Sequence, residues 1–179
     1  GTPTFTRATS AWTILSGGTL GLVASGSARS YYSPGGIYQG YLSEIASTNL
    51  VLQSQDFSVT WGAIGTALTL TSGTEVLGAL SLDTLDDTSA TSAQGKSQTI
   101  TFTGNGQKAI SIFVKNGTST SSVVRLRDNT GGANRLLVAI TWSGTTPVVT
   151  MTTGTDLTGT PEQLGSSGVY RLSFLTTTV

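Results

Sequence analysis

The sequence predicts an all-β protein, an antiparallel β-sandwich or jelly roll behind an extended, turn-rich N-terminal arm. Composition is the first reason. Thr (33), Ser (23) and Gly (23) fill 79 of 179 positions, while charged residues make up only 10%. β-branched side chains suit a pleated surface, and the long straight side chains that favour helices are scarce. The same composition would suit a disordered chain, but 37% of residues are apolar and the net charge is zero, which is not the low-hydrophobicity, high-charge signature of disorder. The second reason is a series of short apolar segments with period-two alternation, punctuated by Gly- and Asn-rich turns. The third is the lack of a helical period: the nearest candidate, residues 75–82, is short and carries Gly78.

Taken in order, residues 1–48 hold Gly17-Gly18, the turn Ser33-Pro34-Gly35-Gly36 and four tyrosines, without sustained alternation. They read as an arm or a set of short strands and turns. Residues 48–52 read as a short extended element, 56–61 as a turn leading into another, 67–70 as a strand, and 83–95 as a polar loop. Six strands are then expected at 98–103, 109–115, 121–127, 136–142, 147–152 and 169–176. Gly104-Asn105-Gly106, Asn116-Gly117, 129–132, Ser143-Gly144, 154–159 and 165–168 separate them. This divides the chain into an arm with short strands, 1–56, and a sandwich, 57–179. Alternation assigns faces: Ile100 and Phe102, Val124 and Leu126, and Tyr170, Leu172 and Phe174 turn to the core. Residues 109–115 and 136–142 are apolar on both sides, which points to central strands or a face covered by another segment.

The absences remove whole classes of chemistry. Without Cys or His there is no disulfide, thiolate, imidazole base or His-ligated zinc. Nine basic residues balance nine acidic ones, so no electrostatic footprint for nucleic acid is expected. No apolar run is long enough for a membrane-spanning helix, and no membrane insertion is expected. No cofactor is implied.

The segment Gly40-Tyr41-Leu42-Ser43-Glu44, continuing through Thr48-Asn49-Leu50-Val51-Leu52 to Ser54-Gln55-Asp56-Phe57 with Trp61 behind it, resembles a stretch of tailed-phage and prophage virion proteins. In those proteins it precedes a carbohydrate-binding-module-like β-sandwich. Phe5-Thr6-Arg7-Ala8, Phe113-Val114-Lys115-Asn116-Gly117 and Gly168-Val169-Tyr170-Arg171-Leu172-Ser173 resemble further landmarks of the family, in the same order. Val169 stands where the family has Trp, and the family's segment after the first Trp is reduced to residues 80–87. The resemblance implies a module of a bacteriophage tail fibre, spike or capsid decoration, exposed on the virion. Its partners would be other virion subunits, in a homotrimer, and host-surface polysaccharide. No enzymatic activity is expected; the alternative within the same fold is a purely structural decoration or assembly protein without ligand, and a polysaccharide-degrading enzyme is the less favoured one.

Two groups of residues are candidates for ligand contact. Arg125 and Arg127 share one face of a strand, with Lys115 and Arg171 on strands that could neighbour it. Such a row of guanidinium groups could clamp carboxylates or hydroxyls of a polysaccharide; the plainer alternative is a solvated face paired to Asp128 or Glu162. Tyr31, Tyr32, Tyr38 and Tyr41, with Trp61, offer flat rings for the C–H faces of sugars; the alternative is that they anchor the arm. Asp83, Asp86 and Asp87 form the one acidic cluster but lack the calcium-loop pattern, so a solvated loop is expected. No catalytic pair of carboxylates is singled out by spacing. Gly104-Asn105-Gly106 and Gly131-Gly132 read as hairpin turns.

Overall fold

The computed structural model describes residues 10–41, 50–52, 56–65, 68–77, 80–89 and 92–178. Among them it places fourteen strands, in several small antiparallel sheets, and no helix. The chain divides into two compact units, Gly1–Thr101 and Phe102–Val179, so residues 57–101 group with the first unit. Of the segments carrying the family resemblance, residues 5–8, 42–49 and 53–55 lie outside the described residues, as do Glu44 and the start of the element expected at 48–52.

The first unit opens with two hairpins built on one plan. β1 (Ala11–Ile14) pairs with β2 (Leu20–Val23), and β3 (Ser30–Tyr32) with β4 (Tyr38–Tyr41). In the first, Leu15 N–H donates to Thr19 O at 2.8 Å and Gly18 N–H to Leu15 O at 2.9 Å. In the second, Ser33 N–H donates to Ile37 O and Gly36 N–H to Ser33 O, both at 2.8 Å. Gly18 (φ 72°) and Gly36 (φ 82°), eighteen positions apart, supply the left-handed residue that each closure needs. A third turn, Ala24 to Ser27, lies midway. The hairpins are tied together: the buried Thr13 donates its Oγ1 hydrogen to Ser30 O at 2.7 Å. A Cβ on Gly36 would stand 2.3 Å from Ser16 O, so only glycine fits there.

The rest of the unit is two further pairs, β5 (Gly62–Ile64) with β8 (Gly95–Ser97) and β6 (Thr69–Leu77) with β7 (Leu80–Asp86). Polar side chains hold the loops by their backbones. Asp83, expected in a solvated loop, is on β7; its carboxylate accepts Phe57 N–H at 3.0 Å and Gly73 N–H at 3.1 Å, filling the irregularity between Thr71 and Glu75. Gln98 grips both backbone groups of Leu52, at 2.8 and 2.9 Å, and donates to Thr60 Oγ1. The strand expected at 98–103 does not form. Its alternation is real, with Ile100 and Phe102 half-buried and the threonines exposed, but among the described residues no strand pairs with it. The Gly104–Gly106 bend is accordingly not a hairpin turn.

In the second unit the expected strands are present: β9 (Ala109–Lys115), β10 (Ser121–Arg127), β11 (Asn134–Ser143), β12 (Thr146–Thr153) and β14 (Val169–Leu175), with a short β13 (Thr155–Asp156). They form two three-stranded sheets, β10-β11-β12 and β13-β14-β9. β11 is central and buries Leu136, Val138 and Ile140. β9 is an edge strand, contrary to one expectation from its apolar sequence; its Ile110, Ile112 and Val114 are half-buried against the core instead. Both sheets contribute to that core, which joins the three β11 residues to Tyr170, Leu172 and Phe174 of β14. Gly144 (φ 61°), first of two loop residues between Ser143 and Thr146, gives the β11–β12 turn its mirror-image geometry. Asp128 closes the β10–β11 turn: it accepts Thr130 N–H and Gly131 N–H and pairs with Arg135 at 3.0 Å.

Candidate functional site: a three-tyrosine face

Tyr38 and Tyr41 are three residues apart, so a regular strand would turn them to opposite faces. A β-bulge prevents this. Tyr32 pairs with Tyr38, Tyr31 with Gly40 and Ser30 with Tyr41, leaving Gln39 as an extra residue. Tyr32, Tyr38 and Tyr41 therefore share one face, and Tyr31 lies on the other. Gly40, at φ 122°, takes up the bend.

The three rings meet edge to face, Tyr32–Tyr38 at 5.4 Å between centroids and Tyr38–Tyr41 at 6.4 Å, the arrangement the ring quadrupole favours. Tyr38 is 51% exposed and Tyr41 63%; Tyr32 is half-buried behind them. The Tyr38 phenol is pushed above its ordinary pKa, first by desolvation, then by the nearby phenols of Tyr41 and Tyr32 and a hydrogen bond with Tyr41. The cluster presents apolar ring faces with hydroxyls beside them. Gln39 is also exposed, its amide donating to Ile37 O at 3.4 Å.

Trp61 is not part of this face. It is half-buried and packs on Phe57, with centroids 4.8 Å apart. The four cations expected in one row are divided between the two sheets. Arg125 and Arg127 lie on the exposed face of β10, and the Arg127 Nε donates to Gly132 O at 3.0 Å, which pins it to the turn. Arg171 and Lys115 share the exposed face of β14 and β9, where Arg171 pairs across from Phe113 and donates to Ser111 Oγ at 3.3 Å. Asp128 serves Arg135, not Arg125 or Arg127. Sequence reasoning missed both the bulge and the split. The odd spacing of Tyr38 and Tyr41 around Gln39-Gly40 was the available signal for the bulge.

No family model, curated protein or solved structure matches the chain.

Proposed function

We propose that the chain is a non-enzymatic structural module of a bacteriophage fibre, spike or capsid decoration, exposed on the virion, that contributes to attachment to host-surface glycan. In this proposal the two sheets of the second unit form a β-sandwich, which their shared core supports, and the modules assemble as homotrimers. The observation that carries the adhesive role is the tyrosine face: exposed rings bordered by hydroxyls are the surface on which a sugar ring stacks and hydrogen-bonds. Weak single sites suffice, because several displayed on one particle gain affinity by multivalency. The low charge of the chain fits recognition by directed hydrogen bonds.

A glycan array probed with the purified chain tests the role. Binding is expected, weakened about three- to tenfold for each ring removed in Tyr38→Ala and Tyr41→Ala, with the fold kept by circular dichroism. No binding at high concentration, together with normal attachment of particles lacking the module, would overturn adhesion and leave the purely structural alternative. Light scattering that finds a monomer would overturn the trimer.

A further inference from the structure

The chain holds two Asn-Gly pairs, Asn105-Gly106 and Asn116-Gly117, and the structure treats them differently. Glycine after asparagine leaves the backbone nitrogen open to the side-chain carbonyl, with no Cβ to hinder approach and wide freedom in φ and ψ. At Asn116 that approach is restrained. The residue is half-buried, and its Nδ2 donates to Gly144 O at 3.1 Å, which ties the amide to the β11–β12 turn. At Asn105 nothing restrains it. Residues 103–107 are exposed and lie outside any strand. Among the described residues neither the Asn105 side chain nor the Gly106 N–H makes a hydrogen bond, and a Cβ on Gly106 would meet nothing within 4 Å.

We propose that Asn105 is a site of spontaneous deamidation. Solvent base removes the Gly106 amide proton, and the nitrogen attacks Asn105 Cγ. The new N–Cγ bond closes a five-membered succinimide; the Cγ–Nδ2 bond breaks, and the amide leaves as ammonia after taking up a proton. Water then opens the ring at either carbonyl, leaving aspartate or, with an extra backbone methylene, isoaspartate. No oxidant or reductant takes part. The product lowers the chain's formal net charge from zero by one. The new carboxylate appears in the loop that also carries Lys108, whose Nζ donates to Gly104 O at 3.4 Å and lies 5.5 Å from the Phe102 ring centroid.

The test incubates the full chain in mildly alkaline buffer and follows two tryptic peptides by mass, residues 97–108 and 116–125, with isoaspartyl methyltransferase labelling to locate the isomer. Conversion at Asn105 is expected to run roughly tenfold faster than at Asn116, where a hydrogen bond must first open. Gly106→Ala should suppress it with the fold intact. In denaturant the two rates should converge. Equal rates in the folded chain, or conversion at Asn116 alone, would overturn the proposal.

Discussion

Leu136, Val138, Ile140, Leu164, Val169, Leu172 and Phe174 of the second unit are each at most 1% exposed; among the described residues of the first, the buried hydrophobic side chains are Ile14 and Leu20. One unit draws on packing. The other is held by clasps from side chain to backbone: Thr13 on Ser30, Asp83 on Phe57 and Gly73, Gln98 on Leu52. Both are rich in Ser, Thr and Gly, so composition does not explain the difference. What does is strand length together with sheet size. In the second unit strands of seven to ten residues stand in three-stranded sheets and place three or more side chains on one face. In the first, β1 to β5 and β8 have three or four residues, and the longer β6 and β7, among the described residues, pair only with each other. A hydroxyl-rich chain with short strands recruits its polar groups as fasteners, each net worth about 0.5–1.5 kcal/mol. A single buried Leu or Phe contributes about 1.5–3 kcal/mol.

The contrast is open to direct attack. The largest effect is expected from Phe174→Ala, which empties a fully buried position and should cost the second unit about 3–5 kcal/mol in denaturant unfolding. Hydrogen exchange by segment should then lose protection in β9 to β14 and keep it in β1 to β4; loss in both together would show that the units are one cooperative system. Gly36→Ala comes next. It sets a Cβ against Ser16 O and strains a positive φ, at about 1–3 kcal/mol, and should diminish the near-ultraviolet dichroism of the tyrosine cluster. Gly35→Ala, whose Cβ would meet only Ser33 Oγ at 3.9 Å, is the matched control and should change little.

The smallest effect concerns Asp128. The Gly131 N–H, then Arg135 and the Thr130 N–H, hold its carboxyl below the ordinary value. A depressed folded pKa stabilises above the unfolded value, about 3.9, and that contribution fades as pH falls through the folded one. The second unit should therefore weaken in acid below about pH 4, and Asp128→Asn should flatten that fall in a pH series of melts. An unchanged slope would remove Asp128 from the account of the turn.

The strands at 109–115 and 121–127 were legible to the residue, and 136–142, 147–152 and 169–176 nearly so, because long alternation against one core is a local signal. Residues 98–103 show where it ends: alternation records burial, and a strand also needs a neighbour. β9 makes the same point from the other side, since an apolar sequence does not tell an edge strand from a central one. The tyrosines were visible as candidates, but their common face depends on a bulge. The cation row dissolved because sequence gives the face of each strand and not which strands share a sheet.

The bulge at Gln39 also bears on how the gene can change. Between Tyr38 and Gly40 the strand carries one residue more than its partner requires, and every pairing on either side would remain in register without it. Loss of that one codon would straighten β4 and keep Tyr32, Tyr38 and Tyr41 on the same side. A codon lost from an unbulged strand such as β14 would instead turn every following side chain over, from core to solvent. The aromatic face therefore sits at a place where the reading frame of the strand, unlike that of the core, has slack.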